Sequence, residues 1–175
     1  MRIGVGLPVC GAWASPENQL AVAIRAEELG YTSLWTLQRL LYAKNPRDEY
    51  YGAPGAQWPP YFVSVADPLV TAAYIAGHTR EIDLGLAVLN APFTNPVLLA
   101  KQLTTLDRVA SGRLVVGLGL GWSRDEYAAT GARWRGRGAR FDEFLRCLVA
   151  AWTDDEVEFH GEYYEIPRCV IEPKP

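Results

Sequence analysis

The sequence contains few of the residues from which metal centres and disulfide frameworks are built. Its 175 residues include two histidines, His78 and His160, and three cysteines. Cys10, Cys147 and Cys169 are odd in number and form no Cys-x-x-Cys pair, so we expect neither a disulfide framework nor a thiolate zinc site. Two histidines also leave little material for a catalytic triad or a histidine metal site. We therefore expect no metal and three unpaired, neutral thiols.

Long apolar runs and an excess of basic residues are also missing. No run approaches the ~20 residues that a membrane-spanning helix needs. The chain enters a strand directly at Met1-Arg2-Ile3, without a signal-peptide pattern before it. A net charge of -3 argues against a surface built to neutralise phosphates. We expect a cytoplasmic protein without nucleic-acid or membrane partners, and one ordinary globular domain, given 49% hydrophobic and 21% charged residues.

One sequence pattern opens three helices along the chain. Ser15-Pro16, Asp67-Pro68 and Asn95-Pro96 each place a capping side chain before a proline, and glycines at positions 30, 77 and 112 mark the helix ends. Apolar strands are predicted at 32–37, 82–89 and 114–120, and another at 3–7 precedes the first helix. Strands that alternate with helices need crossover connections, which produce parallel sheets. The pattern therefore predicts an α/β fold with a parallel sheet.

Apolar spacing predicts which faces of these elements are buried. The helical period selects a face of the first helix, made of Leu20, Ala23, Ile24 and Leu29, and a face of the third, made of Leu99, Leu103, Leu106 and Ala110. The run Leu114-Val115-Val116 is typical of a strand covered on both faces. Farther on, Phe141, Phe144, Leu145, Leu148 and Trp152 form one face of a last helix. The alternation over 157–166 indicates a short strand or a hairpin.

The fourth strand ends in a run of glycines. Gly117, Gly119 and Gly121 are followed by Trp122, so the last backbone of the strand has few side chains and can be approached closely by something flat. We interpret this segment as the floor of a ligand site. Ser123 then caps a short helix with Glu126 near its start. The basic run at 133–140 could bind phosphate, but the negative net charge favours a solvated loop.

Other polar residues lie where parallel α/β folds bind ligands. Gln38 and Arg39 follow the second strand, and Asn90 follows the third; the carboxyl ends of parallel strands are the usual place for a site. A connection at 40–66 is rich in aromatic residues and has no periodicity. Such loops are uncommon unless they are lids or binding segments, so we weigh a substrate-facing lid against a rigid, proline-braced surface loop.

Several segments together resemble the amino-terminal part of a known family. They are Ala26-Glu27-Glu28-Leu29-Gly30-Tyr31, Ser33-Leu34-Trp35, Asp67-Pro68-Leu69, Asn95-Pro96, Lys101, Leu106-Asp107-Arg108, Ser111-Gly112-Arg113, Gly117-x-Gly119-x-Gly121-Trp122 and Arg137-Gly138-Ala139-Arg140-Phe141-Asp142-Glu143. The chain resembles the luciferase-like monooxygenase family, especially its deazaflavin (coenzyme F420)-dependent oxidoreductase branch. A dinucleotide-binding reading is disfavoured, because Trp122 stands where that motif needs its third glycine.

The resemblance implies a (β/α)8 barrel of the TIM type that binds a reduced flavin or deazaflavin at its carboxyl-end face. A closed barrel typically uses ~250 residues, so residues 1–175 are expected to form one domain that holds only about the first half, four βα units. Relatives hold the ring against a bulged third strand with a non-proline cis peptide, which would fall at Ala87-Val88.

By position, the resemblance also implies the site residues. Those expected to bind the cofactor are Gln38, Arg39, Ala87, Val88, Leu89, Asn90, Gly119, Gly121 and Trp122; those expected on the substrate side are Trp13, Tyr42 and Trp58. No catalytic residue is assigned. Many relatives have an acidic residue or a histidine around Gln38, and an amide cannot act as a general acid or base near neutral pH. Glu126 and Asp107 are not assigned a catalytic role either, because structural roles explain them equally well, as a charge near a helix start and as part of a pair at a helix end.

Three functions remain open on the sequence. The first is hydride transfer between reduced coenzyme F420 and a small organic substrate, and the second is an FMN-dependent monooxygenase that inserts oxygen from O2. The third is a non-catalytic half-barrel, either a fragment or a partner subunit. Because the first and fourth strands would have open edges, we expect a homo-oligomer or pairing with a complementary half-barrel.

Overall fold

In the computed structural model, which describes residues 1–52 and 55–175, strands alternate with helices through most of the chain. The elements are β1 (Gly4–Gly6), α1 (Pro16–Glu28), β2 (Ser33–Thr36), α2 (Pro68–Ala76), β3 (Asp83–Asn90), α3 (Pro96–Val109), β4 (Leu114–Gly119), α4 (Arg124–Thr130), α5 (Arg137–Thr153), β5 (Val157–His160) and β6 (Glu165–Cys169). Short 3-10 helices span Gly11–Trp13, Pro60–Val63 and Ala91–Phe93. Positions 53 and 54 of the long connection lie outside the described residues.

The first four strands form one parallel sheet in the order β1-β2-β3-β4. Leu34 of β2 lies between Val5 of β1 and Leu84 of β3, and Leu84 in turn pairs with Leu114 of β4. Each strand is thus hydrogen-bonded to the next one along the chain, and the predicted parallel α/β fold is confirmed. β5 and β6 form a separate antiparallel hairpin, one of the two alternatives predicted near the end of the chain.

Side chains cap all three helices at the predicted positions. The Ser15 hydroxyl accepts a backbone N–H at the start of α1, and the side chains of Asp67 and Asn95 each accept two at the starts of α2 and α3. These bonds satisfy N–H groups that have no partner within the helix. Gly30 and Gly112 are in the left-handed conformation, each with φ of 77°, which lets the chain turn back towards the sheet.

The core lies between the sheet and its covering helices. The predicted buried face of α3, Leu99 to Ala110, is confirmed. The predicted face of α1 is partly wrong, because Ile24 is 40% exposed and Leu29 57% exposed. Ala23 of the predicted face is buried, and Ala26, outside that face, also enters the core, so small side chains rather than large ones form the buried face of α1.

β1 and β4 are the edges of the sheet, and this overturns one prediction. The run Leu114-Val115-Val116 is not covered on both faces, because Val115 is 41% exposed and its two neighbours are only partly buried. At the other edge, Ile3, which immediately precedes β1, is 46% exposed. An apolar sequence marks a strand that could be covered on both faces, but whether a covering layer is present depends on the rest of the fold.

Within the described part of the chain, the cysteines form no disulfide and the helices include no candidate membrane span. All three cysteines are free thiols, and burial raises the pKa of Cys147 to about 11, which keeps it protonated at neutral pH. Within the described ranges, no helix is both long and apolar enough to cross a membrane.

Candidate active site

A cavity of about 400 Å³ opens at the carboxyl ends of β2, β3 and β4. Parallel α/β folds bind ligands at this edge because loops and strand ends converge there without blocking access. Its size falls within the range of small-molecule sites, roughly 300–1,000 Å³. The cavity is lined by Leu37, Gln38, Arg39, Tyr51, Phe62, Ala87, Val88, Asn90, Gly119, Leu120, Gly121 and Trp122.

The wall from β3 is an apolar bulge. The pairing of β3 with β4 shifts register between Leu86 and Leu89, and the peptide bond between Ala87 and Val88 is cis. The bulge and the cis peptide predicted from the family resemblance are both confirmed. Leu86 and Leu89 are buried in the core, whereas Ala87 and Val88 are exposed, Val88 to 42%. The bulge therefore presents two apolar side chains to the cavity from a strand that is otherwise buried here.

The glycines of β4 make room for this bulge. A Cβ atom on Gly117 would lie 2.7 Å from the Leu86 carbonyl oxygen, and one on Gly119 would lie 2.8 Å from Val88 Cγ2. Both distances are too short for a side chain to be accommodated without movement. The space beside the glycine backbone, interpreted from the sequence as an approach for a flat ligand, is thus taken by Val88. Val88 itself provides the surface that a ligand would meet.

Gln38 ties the ends of two strands together at the cavity. The backbone N–H of Asn90 donates to Gln38 Oε1 over 2.7 Å, so the side chain that follows β2 satisfies a backbone group at the end of β3. Asn90 is buried, and its side chain lies beside Gly121, whose φ of 73° is left-handed. The amide of Gln38 therefore has a structural task that keeps the rim of the cavity in place.

Arg39 and Glu126 form a buried ion pair beside the cavity. Arg39 Nε donates to Glu126 Oε1 over 3.0 Å, and Arg39 Nη2 donates to Glu126 Oε2. The side chains are 4% and 0% exposed. The backbone N–H of Leu40 also donates to Glu126 Oε1, over 2.7 Å. The carboxylate of α4 thus holds both the guanidinium and the backbone that follows β2.

Aromatic residues of the long connection, together with Trp122 after β4, pack around this pair. Arg39 Cζ lies 4.8 Å from the ring centroid of Trp58 and 4.3 Å from that of Trp122, and the two indole centroids are 4.9 Å apart. Tyr51 packs on Trp122 with centroids 5.3 Å apart, and Phe62 lies against the same guanidinium. Cation–π contacts of this kind stabilise a buried guanidinium. The described part of the connection therefore contributes to the cavity wall through Tyr51 and Phe62.

The structure brings together eight of the nine residues expected to bind a cofactor. Gln38, Arg39, Ala87, Val88, Asn90, Gly119, Gly121 and Trp122 all line the cavity. Leu89 instead lies in the core, 3% exposed. Of the residues expected on the substrate side, Trp13 is 71% exposed on a 3-10 helix, and Tyr42 and Trp58 line a different cavity of about 390 Å³ within the connection. Their assignment to a substrate stays a prediction.

Sequence reasoning missed the role of Glu126. Ser123 and Glu126 have the Ser-x-x-Glu spacing of a capping box, which favours a local role at the start of α4. The Ser123 hydroxyl does accept the Glu126 N–H, over 3.3 Å, but the carboxylate points to Arg39, 87 positions earlier in the chain. No local pattern could indicate that contact. Leu37 and Phe62 also line the cavity and are not among the predicted site residues, although Leu37 adjoins Gln38.

Two of the four arginines of the basic run have side-chain partners within the protein. Arg137 stacks on Trp134 with Cζ 3.7 Å from the ring centroid, and Arg140 packs on Tyr163 at 4.7 Å. Arg140 Nη1 also donates to the carbonyl oxygen of Arg133 over 3.1 Å. The contact of Arg140 with Tyr163 joins the start of α5 to the turn of the β5–β6 hairpin. The run therefore has a packing role in addition to its exposure to solvent.

Comparison with known proteins identifies the family. The family model described as luciferase-like monooxygenase matches residues 1–175. The chain belongs to this family. It is 30% identical to an F420-dependent glucose-6-phosphate dehydrogenase from Amycolatopsis mediterranei over 98% of this chain and 48% of that protein. It is 36% identical to an FMNH2-dependent dimethylsulfone monooxygenase from Pseudomonas putida over 55% of this chain and 27% of that protein.

Solved structures give the same picture. The monooxygenase RslO1 from Streptomyces bottropensis superposes with a TM-score of 0.76 and 27% identity, covering 99% of this chain and 50% of that one. The chain thus spans about half the length, or less, of these relatives. The α/β fold of this luciferase-like chain accordingly corresponds to about half of a TIM-barrel relative, as the resemblance implied.

Proposed function

We propose that this luciferase-like chain is part of an oxidoreductase that transfers hydride between reduced coenzyme F420 and a small organic substrate. The observation that carries the proposal is the exposed Ala87–Val88 bulge at the base of the cavity, an apolar surface suited to one face of a ring. The match to an F420-dependent relative over 98% of the chain, against 55% for the FMNH2-dependent one, supports the deazaflavin.

The residues present fit a flat, mostly apolar ring. Val88 and Ala87 offer one apolar wall and Trp122 an aromatic one, while Gln38 and Asn90 hold the ends of β2 and β3 in place. A bound deazaflavin would supply the hydride chemistry itself. The role of this chain is to position the ring against the bulge and to exclude water with the aromatic residues of the long connection. The ring's phosphate-bearing tail has no assigned partner among these residues.

Apart from the phenol of Tyr51, which is 70% exposed, the described lining of the cavity offers no ordinary general acid or base. Among the described residues that line it, none carries a carboxyl or imidazole group, and the nearby carboxylate of Glu126 is engaged by Arg39 and Leu40. Proton transfer by a side chain of this chain is therefore not part of the proposal. This agrees with chemistry that belongs mostly to the cofactor.

An FMN-dependent monooxygenase is the second candidate. It is supported by the FMNH2-dependent relative at 36% identity and by the RslO1 monooxygenase at 27% identity. The same bulge and aromatic wall suit the isoalloxazine ring. This candidate needs reduced flavin from another source, so oxygen uptake coupled to a substrate distinguishes it from strictly anaerobic turnover.

We further propose that a complementary half-barrel completes the structure around the cavity. The outer edges of β1 and β4 are unpaired within the described sheet, and Val115 of β4 is 41% exposed. A second copy of the chain or a separate half could cover both edges. If the chain alone binds no ring, the third possibility, a non-catalytic half, gains support.

Titration with coenzyme F420 and, in parallel, FMN tests the proposed function. The fluorescence of each cofactor is followed against the concentration of the folded chain, with the oligomeric state measured on the same sample. Saturable, tighter binding of F420 supports the deazaflavin assignment, and tighter binding of FMN supports the monooxygenase. A Val88→Asp variant should weaken ring binding at least tenfold, whereas Val109→Asp, on an exposed position of α3, should not.

Folded protein that binds neither cofactor would contradict the proposal for this chain. Circular dichroism and cooperative thermal unfolding must therefore accompany each titration. Loss of binding in the Val109→Asp control would show that the assay reports stability rather than the site.

A further inference from the structure

One edge of the Arg39 guanidinium has no acceptor among the residues that the structure describes. Nε and Nη2 bind the carboxylate of Glu126, but within 1–52 and 55–175 no residue accepts a hydrogen bond from Nη1. Arg39 forms part of the cavity wall. The residue as a whole is only 8% exposed. In the part of the chain that the structure describes, a largely buried guanidinium in the cavity wall thus has two N–H donors on Nη1 that no protein acceptor engages.

These donors are held in one position. The two-bond contact with Glu126 fixes the plane of the guanidinium, and the rings of Trp58 and Trp122 pack against it at 4.8 and 4.3 Å. Glu126 is itself fixed by the N–H of Leu40 and by its place in α4. Pre-organised donors lose little entropy when a ligand binds to them.

The pair is electrically neutral as a unit. The Glu126 carboxylate compensates the charge of Arg39, so an anion in the cavity would be attracted by one partner and repelled by the other. An anion would also lose its hydration on entering a site walled by Val88, Phe62 and Trp122. A neutral oxygen acceptor escapes most of that cost while still accepting the hydrogen bonds.

We propose that Arg39 Nη1 donates to a neutral oxygen acceptor, a carbonyl or hydroxyl group, of the ligand that occupies the cavity, and that Glu126 is the positioning residue for this contact. The inference rests on the proposed function for the nature of the ligand and deepens it. It assigns a charged hydrogen-bond donor to a site whose bulge and aromatic walls are apolar. The acceptor belongs either to the ring of the cofactor or to the organic substrate.

Two isosteric probes test the preference for a neutral acceptor without any cofactor. Benzamide carries a neutral amide carbonyl and benzoate an anionic carboxylate on the same phenyl ring. The fluorescence of Trp122 and Trp58, which lie beside Arg39, reports binding. The wild-type chain should bind benzamide about fivefold or more tightly than benzoate, as expected when an anion must be desolvated beside a neutral pair. Equal or tighter binding of benzoate, or no binding of benzamide, overturns the inference.

Three variants test the roles of the pair. Arg39→Lys should weaken benzamide binding about three- to tenfold, the usual effect of losing one hydrogen bond. Glu126→Gln leaves the charge of Arg39 uncompensated, so the preference should reverse towards benzoate. Arg168→Lys, which changes an exposed arginine paired with Glu156 on the hairpin, is the matched control and should change neither affinity. A Glu126→Gln variant that folds but keeps the wild-type preference contradicts the positioning role.

Competition distinguishes the two sources of the acceptor. If F420 or FMN displaces benzamide, the acceptor is a carbonyl of the ring; if the cofactor and benzamide bind together, it belongs to the substrate. Binding of benzamide to a chain that binds neither cofactor would count against the proposed function while supporting the role of Arg39. The wild-type comparison of the two probes decides the inference even if a variant does not fold.

Discussion

Single carboxylates perform the most demanding local tasks in this chain. Glu27 at the end of α1 accepts the consecutive backbone N–H groups of Arg80, Glu81 and Ile82, over 2.9, 2.7 and 2.9 Å. Glu143 of α5 does the same for the turn at 162–164 of the hairpin. In each case one helix holds the turn that leads to another element. A carboxylate serves this purpose well because it can accept several bonds at once.

These contacts change the acidity of both groups. Partial burial alone would raise the pKa of Glu27, but the N–H groups of Glu81, Ile82 and Arg80 and the charge of Arg113 outweigh it and lower the pKa. The pKa of Glu143 is lowered in the same way, because its three backbone donors and Arg146 outweigh its burial. A lowered folded-state pKa stabilises the fold above the unfolded value of 4.5 and stops doing so as the pH falls through the folded value.

We expect Glu27→Gln to reduce stability at neutral pH by about 1 kcal/mol, since a neutral amide accepts these bonds less strongly. The difference from wild type should shrink as the pH falls below 4.5, because the unfolded state takes up the proton first, and it should vanish once the folded carboxylate is protonated as well. Urea unfolding at pH 7 and at pH 3.5 measures both effects. Glu28→Gln is the control, because Glu28 is exposed and, among the described residues, its one ion pair is with Arg25. A difference that grows at low pH would contradict this account.

At the scale of elements, the site depends on a fit between two neighbouring strands. The register shift in β3 pushes Val88 towards the cavity, and the glycines of β4 leave the space that it occupies. Neither strand could present this surface alone. The exposed apolar wall is therefore a product of the β3–β4 pair rather than of the glycine run by itself.

Gly119→Ala should disturb this pair. Its Cβ would lie 2.8 Å from Val88 Cγ2, and overpacking of this kind costs about 1–3 kcal/mol. Displacement of Val88 should also weaken F420 or FMN binding more than the loss of stability alone explains. Gly138→Ala is the control. Outside its chain neighbours and its own helix, no atom of the described residues lies within 4 Å of the added Cβ, and α5 should gain up to about 1 kcal/mol. Thermal unfolding and cofactor titration are compared for both variants, and ring binding by Gly119→Ala equal to wild type would refute the fit.

At the scale of the molecule, the sheet ends in two open edges. β1 and β4 each pair on one side only in the described sheet, and apolar residues beside them, Ile3 and Val115, are exposed. Unpaired edges and uncovered apolar surface favour association with another chain.

We therefore expect the 175-residue chain to form dimers or larger species at micromolar concentration. Val115→Lys should reduce association, because a charge on an edge strand opposes edge-to-edge pairing. Light scattering after size-exclusion chromatography measures the mass. The control is Val149→Lys, which changes a valine exposed to 52% on α5, away from the edge strands. A monodisperse wild-type monomer would show that the open edges do not drive association.

The sequence by itself determined the elements, because their signals are local. Caps at Ser15, Asp67 and Asn95, glycines at the helix ends and short apolar runs each act within a few residues, and the parallel order follows from their alternation. The family resemblance also placed the cis peptide at Ala87-Val88. Eight of the nine proposed cofactor residues meet in one cavity because strand ends are positioned by those same elements.

Only the tertiary structure decided what surrounds each side chain. The pairing of Arg39 with Glu126 joins positions 87 apart, and no local pattern predicts it. The exposure of Val115, the burial of Leu89 and the use of the glycine space by Val88 likewise depend on which element lies alongside. Local propensity acts through neighbours in the chain, whereas burial and charge pairing act through neighbours in space. The order of residues along the chain therefore does not specify burial or charge pairing until the sheet has assembled.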